Sequence, residues 1–527
     1  MSTFPKHVDT IIVGTGLLNS ILAAACSRIG KSVLHLDENN YYGDSDASFT
    51  FQQLIEWIQA RFPTNRCLQC IPQEVMSKSR MFCIDLSPKF LFSNGDMVDL
   101  LVKSNVARYH EFKNNIRILS FVNMKEIHVI PCRRNDVFTS PLLSNLADKR
   151  RLMKFIEMCT RYEDREENLD ETVPKDPADT SVSSTEMAPQ YDKPIGEFLE
   201  ERGLSTTLRE FVINSIAMVQ PTDTTREACK RIKIIVQATE KYGRSPFLFP
   251  LYGCGEFPQS FCRLSAVFGG LYCLNTQING TQVKDEHGKP EYSVQFGEEN
   301  HSVSSDYLVI DRDSSFKLDP KLVKHEKRLI SRGILITNRS VVQSNSDDEG
   351  RSDNLSNDLI SFLRIPPYDD GSNSEKKSTI YFIEVNSSAL VCPKEMNLVY
   401  VWCESSRGED HSRNAESDLK PTVDLLFRNE AKSSNSEDSA EQPRNGCILW
   451  EFYYHQSGTF CQPSKLVDSN TLRTSVEKGG LFITNAPYDH IDYSSIIKEA
   501  EILFKRMYPD QEFLPRAPDP DEIIHSA

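Results

Sequence analysis

No run of about 18 consecutive apolar residues occurs in this sequence, so no membrane-spanning helix is expected. Positive charge is in deficit. Lys and Arg total 60 against 75 Asp and Glu, a net charge of −15. That excludes the basic face of a nucleic-acid binder and makes an anionic membrane surface a poor main partner. The first residues, MSTFPKHVDT, lack a basic n-region and an apolar h-region, so no signal peptide is expected. The last, DEIIHSA, carry no CaaX box. The expectation is a soluble, cytosolic chain. Also absent are GxxxxGK[ST], HExxH and GxSxG, and with them the common phosphate-loop, zinc-protease and serine-hydrolase chemistries. The 14 cysteines are scattered, with Cys67 and Cys70 as the one CxxC pair. Without a second pair nearby they read as reduced thiols rather than zinc ligands.

What is present is length, and 527 residues imply two or three structural units. The first fifty read β–turn–α–β. Val8 to Val13 has strand character, Leu17 to Ile29 is a helix rich in Ala, Leu and Ile, Gly30 stops it, and Ser32 to Leu36 is a second strand ending at Asp37. The spacing places Asp37 where a dinucleotide fold holds the ribose.

The turn between them, Gly14-Thr15-Gly16, begins the GxGxxG fingerprint, but Asn19 replaces its third glycine. The pattern specifies the fold strongly and a cofactor weakly. A second departure lies near the end. The late strand GGLFITNAPYDH carries Thr484-Asn485 where a flavoprotein would show Gly-Asp before a helix facing the flavin.

Residues 127–228 read as a helical subdomain inserted into the α/β domain, whose parts are then 1–126 and 229–527. The acidic stretch at 163–190 reads as a disordered insert. Polar tracts at 343–357 and 405–444 read as surface loops or insertions. A final amphipathic helix is expected from Ile491 to Met507. The densest feature is LYGCGEFPQSFCRLSAVFGGLYCLN at 251–275, with four glycines around a short helix from about Pro258 to Phe268.

That segment and HLDENNYYGDSDASFTF at 35–51 resemble the superfamily of Rab GDP-dissociation inhibitors and Rab escort proteins. So do DLSPKFLFSNGDMVDLLVKSNVARYHEFK at 85–113 and FVINSIAM at 211–218. The resemblance covers most of 1–310 and returns at 475–525. It implies a flavoprotein-like α/β fold with two sheets and a smaller all-helical domain. It also implies no bound cofactor, no metal and no catalysis by the chain itself, so Gly14 and Gly16 belong to a vestigial loop.

The resemblance further implies a Rab-binding platform at Tyr42, Glu256, Gln259 and Arg263. Two further platform positions fall on Leu271 and Cys273, where dissociation inhibitors carry a polar and a longer residue. Three features resemble the escort branch: the chain's length, the ending FKRMYPDQEFLPRAPDPDEI, and CRRNDVFTSPLLSNLADKRRLMKF at 132–155. The last implies docking to the α subunit of the Rab geranylgeranyltransferase αβ heterodimer through Phe138 and Arg150, with Arg151 a close competitor. The partners implied are GDP-bound Rab GTPases, that heterodimer, the geranylgeranyl lipid of the Rab and, transiently, a membrane. Apolar helical residues such as Phe155, Ile156, Phe211, Val212 and Ile216 either shield the lipid or form the helical core. A dissociation inhibitor is the second reading and a flavin-dependent oxidoreductase the third.

Overall fold

The computed structural model describes residues 4–122, 124, 126–132, 136–137, 145–162, 190–286, 289–311, 314, 329–342, 358–368, 378–405, 414–428, 447–457, 479–485 and 487–516. The first strand, His7–Val13, is flanked in parallel by Val33–Leu36 and by the late part of His301–Asp311. Leu271–Cys273 adds to one side and Leu481–Thr484 to the other, also in parallel. The early part of His301–Asp311 instead pairs antiparallel with Lys289–Phe296, which pairs with Ile278–Glu286. One long strand thus serves both a parallel sheet and an antiparallel extension.

The helix Leu17–Arg28 packs on this sheet and is buried over nearly its whole length. Helices Glu256–Val267 and Ser494–Met507 cover it. Its Ala23-Ala24-Ala25 run and small polar side chains permit the close approach. Ser27 Oγ meets Ser265 Oγ at 2.9 Å, and Ser20 Oγ meets Cys262 Sγ at 3.2 Å. A helix hydrophobic all round belongs in a core, and here three layers of structure enclose it.

Among the described residues the second sheet has seven strands, in the order Ile448–Ser457, Leu329–Thr337, Asn397–Glu404, Ile380–Val385, Ile360–Ile365, Ile116–Val122 and Glu126–Val129. The helices Leu146–Thr160, Ile195–Glu201, Thr206–Glu210 and Thr225–Ala238 share one apolar cluster with this sheet, and residues 211–217 touch its strands directly. The segment FVINSIA, 211–217, winds as a π-helix and stops at Met218 in the left-handed region (φ 57°). Asn214 Oδ1 accepts from Arg364 of the sheet (3.3 Å).

Several expected bounds shift. Residues 127–129 belong to a sheet strand paired with Ile116–Val122 rather than to the helical part. That part runs past 228, because Thr225–Ala238 is one continuous helix whose Ile232 and Ile235 are buried. Within the tract expected as a surface loop at 405–444, Ala415–Arg428 forms a helix. Its Ala415, Leu419, Val423 and Leu426 recur at helical spacing and are buried against the second sheet. The tract 343–357 and nearly all of 163–190 lie outside the described residues.

Candidate functional site

The glycine-rich turn at 253–255 lies on a polar seat made by Ser48 and Asp85. Cys254 N donates to Asp85 Oδ1 (2.8 Å), Gly255 N donates to Ser48 Oγ (2.7 Å), and Ser48 itself donates to Asp85. A Cβ on Gly255 would stand 2.5 Å from Ser48 N, which is backbone and cannot yield. The turn therefore fixes where the helix Glu256–Val267 begins.

That helix buries Phe257, Pro258, Phe261, Cys262 and Ser265. Glu256, Gln259 and Arg263 recur at i, i+3 and i+7 on its outer face. Gln259 and Arg263 are exposed and Glu256 is half-buried. Partial burial raises the Glu256 carboxyl above the usual range. The chain then turns at Gly269 and Gly270 into the strand carrying Leu271, Tyr272 and Cys273.

Tyr42 arrives from the loop after the second strand. Of the tyrosine pair, Tyr41 is structural, since Trp57 Nε1 donates to its hydroxyl (3.0 Å). Tyr42 faces outward, its ring centre 6.0 Å from that of Tyr272, edge to face. Together with Tyr109, these residues line an open groove of about 570 Å³ that includes Tyr42, Glu256, Gln259, Arg263 and Leu271. Arg263 lies over the Tyr109 ring, 4.7 Å from its centre. Tyr109, Val267, Phe268 and Leu271 are large apolar or aromatic side chains left exposed in this region. Exposed apolar groups interleaved with a carboxylate, an amide and a guanidinium suit a protein partner.

The structure thus brings together five of the six expected platform residues. Cys273 is the exception. It is half-buried and packs against the cluster of Val8, Leu34 and Tyr292 instead. Tyr109 and Tyr272 join the groove without having been singled out from the sequence.

Phe138 lies outside the described residues. Arg150 is exposed on Leu146–Thr160, whereas Arg151 pairs with Asp148 (3.1 Å). Phe155, Phe211, Val212 and Ile216 are buried in the cluster shared with the second sheet, and Ile156 is half-buried against it.

The turn after the first strand differs from a dinucleotide cradle in detail. Asn19 Nδ2 donates to Val13 O (2.8 Å), tying helix to strand where a glycine would let them touch. Leu17 N, the first amide of the helix, donates to Asp46 Oδ2 (2.9 Å). Asp37 Oδ2 accepts from Thr15 N (2.8 Å) and Thr15 Oγ1 (2.5 Å). At the late strand, Asn485 N and Nδ2 both donate to the buried Glu499 (2.9 Å each). Carboxylates of the chain itself thus occupy the donors that would face a diphosphate. A dinucleotide does not fit the residues present.

The family model described as "GDP dissociation inhibitor" matches residues 4–448. The chain is 33% identical to "Rab proteins geranylgeranyltransferase component A 2" of Mus musculus, over 99% of both chains. It is 30% identical to the "Rab GDP-dissociation inhibitor" of Saccharomyces cerevisiae, over 84% of this chain and 89% of that one. Among solved structures, a Rab GDI from Plasmodium falciparum superimposes with a TM-score of 0.66 at 20% identity, covering 97% of this chain and all of the other. An oxidoreductase from Methanosarcina mazei shares the fold more loosely, with a TM-score of 0.54 at 11% identity over 95% and 99% of the two chains. The α/β fold is therefore the one shared by these inhibitors and by oxidoreductases, and the chain belongs to the GDP dissociation inhibitor family.

Proposed function

We propose that this chain is a Rab escort protein, the non-catalytic component A of Rab geranylgeranyltransferase. It binds a GDP-loaded, unprenylated Rab in the groove of Tyr42, Glu256, Gln259, Arg263 and Leu271. It presents the Rab C-terminus to the catalytic αβ heterodimer, which docks at Phe138 and Arg150. It then shields the attached lipid and delivers the Rab to a membrane. The observation that carries this reading is the groove itself, a rigid turn–helix with an exposed amide and guanidinium beside three tyrosines. It stands in a chain similar along its whole length to component A proteins.

The need for an escort follows from the lipid. Hydrocarbon burial contributes about 0.8 kcal/mol per CH₂, so a prenyl chain of about twenty carbons resists water by on the order of ten kcal/mol. The helical part, bounded by Leu146–Thr160 and Thr225–Ala238, is the proposed shield, while Phe155, Phe211, Val212 and Ile216 themselves form its core.

The test is prenyl transfer. A GDP-loaded Rab, labelled geranylgeranyl diphosphate and the purified heterodimer are combined with and without this chain. Transfer that requires the chain, and falls sharply with Phe138→Ala, supports the escort. No stimulation, with extraction of prenylated Rab from membranes intact, selects the dissociation inhibitor, the second reading.

A further inference from the structure

The turn that would cradle a cofactor in a dinucleotide-binding fold is joined here to the loop that carries Tyr42. Gly43 N, the amide next to Tyr42, donates to Thr15 Oγ1 (3.0 Å), and that hydroxyl donates onward to Asp37. At the far end of the loop, Asp46 receives the first helical amide from Leu17. Asp46 N closes back on Gly43 O (2.7 Å). The other oxygen of Asp37 accepts from Asn39 N (2.7 Å) and Asn39 Nδ2 (2.9 Å). Gly43 itself has φ +99°, and a Cβ there would meet Ala47 N and Cα at 3.1 Å and Pro258 Cγ at 3.2 Å. The loop is therefore pressed against the platform helix as well as bonded to the turn.

We infer that Thr15, Asp37 and Asp46 are positioning residues for partner recognition, and that the cofactor turn of the ancestral fold serves as the mount that holds Tyr42 in the groove. The inference rests on the reading that the groove binds a Rab. A helix N-terminus favours negative charge, and in place of a diphosphate it takes the Asp46 carboxylate of the recognition loop. A loop already in its bound shape costs less ordering when the partner arrives. Loosening it leaves the contacts of Tyr42 available but makes the competent shape only one of several, so affinity falls by that fraction.

A double-mutant cycle separates this from general stabilisation. The Kd of a GDP-loaded Rab is measured for the full chain and for Thr15→Val, Thr15→Ser, Tyr42→Ala, Arg263→Ala and the Thr15→Val/Tyr42→Ala pair. Thr15→Val keeps the side-chain volume and removes the hydroxyl. It should weaken binding about three- to tenfold, the worth of one or two net hydrogen bonds, and Thr15→Ser should restore it. In the Tyr42→Ala background the same change should add nothing. Asn39→Ala, at a half-buried position and measured alone and paired with Tyr42→Ala, should repeat the pattern should Thr15→Val fold poorly. Weakening by Tyr42→Ala and Arg263→Ala together with a silent or fully additive Thr15→Val and Asn39→Ala overturns the mount alone. Unchanged affinity in both Tyr42→Ala and Arg263→Ala overturns the platform reading and the mount with it.

Discussion

The Arg263 guanidinium stacks 4.7 Å from the centre of the Tyr109 ring, so a cation on the platform helix is held by an aromatic from a separate segment, Val106–Tyr109. A guanidinium stacks on a ring and still offers donors at its edge, which an ammonium cannot do. Arg263→Lys should therefore weaken Rab binding. A lysine keeps only part of an exposed cation–π contact worth about 0.5–1 kcal/mol, and lost bidentate donors add to the loss. Tyr109→Ala should give a smaller loss of the same kind, and Arg263→Ala the largest, at about 2 kcal/mol or more for an interface anchor. Calorimetric titration with a GDP-loaded Rab checks the ranking, and equal affinity for Lys and Arg at 263 would contradict it.

The two ends of the platform helix respond differently to an added methyl group. Gly255→Ala drives a Cβ to 2.5 Å from Ser48 N, and overpacking against backbone costs about 1–3 kcal/mol. Gly269 has φ +92° but open space around it, so Gly269→Ala should cost only the left-handed penalty, about 1 kcal/mol. Thermal unfolding of the two variants should show a clearly larger drop for position 255. Equal drops would mean that the seat on Ser48 and Asp85 is looser than the geometry states.

Burial pushes the Asp85 carboxyl up to about 6, against the bonds from Ser48 and Cys254. Between about pH 4 and 6 the folded chain keeps a proton that the unfolded chain has released. Stability contributed by this group is therefore greatest at the acid end and falls as pH rises through 6, by on the order of 2–3 kcal/mol. His35 acts in the opposite sense. Burial pulls it down to about 4 while a ring nitrogen bonds Gly14 O (2.7 Å). Its contribution is present above pH 6.5 and is lost as pH falls towards 4. Asp85→Asn removes one of the two opposed slopes. Denaturant unfolding at pH 4.5 and 6.5 should show the variant gaining more stability with rising pH than the unmodified chain. The same change in both proteins would refute the assignment.

The β–turn–α–β start and the glycine–helix–glycine platform were legible because each is local. Glycines mark turns where a Cβ is excluded, and Leu17–Arg28 carries apolar or small side chains on nearly every side because it is enclosed over nearly its whole length. Tyr109 was not legible, since its neighbours in the groove come from distant parts of the chain, and Tyr272, although between Leu271 and Cys273, is marked out only by the distant Tyr42 ring it meets. Nor was the capture of Leu17 N by Asp46 and of Asn485 by Glu499. The fingerprint's missing glycine hinted at a lost cofactor, but which carboxylates face the donors depends on tertiary placement. The helix Ala415–Arg428 was hidden for another reason. Its apolar residues keep a helical period, yet the polar residues around them outweigh it in composition. That Cys273 turns towards a neighbouring cluster while Leu271 lines the groove is likewise a tertiary matter.

The choice between Arg150 and Arg151 also turns on tertiary contacts. Both are exposed on the same helix, but Arg151 is engaged by Asp148 at 3.1 Å and lies within 4 Å of where a side chain on Gly203 would stand. Arg150 projects from an exposed position one residue earlier, roughly 100° around the helix. A docking arginine must exchange water for its partner without first giving up an internal ion pair, which favours Arg150. Arg150→Glu should therefore lower transferase capture by at least about tenfold, as expected for an interface arginine, with Rab affinity unchanged. Arg151→Glu should instead cost a little stability through repulsion from Asp148, with capture nearly intact. Pull-down of the αβ heterodimer and calorimetry with Rab, run on both variants, read these effects separately. Loss of capture in Arg151→Glu alone would reassign the docking residue to the neighbouring position.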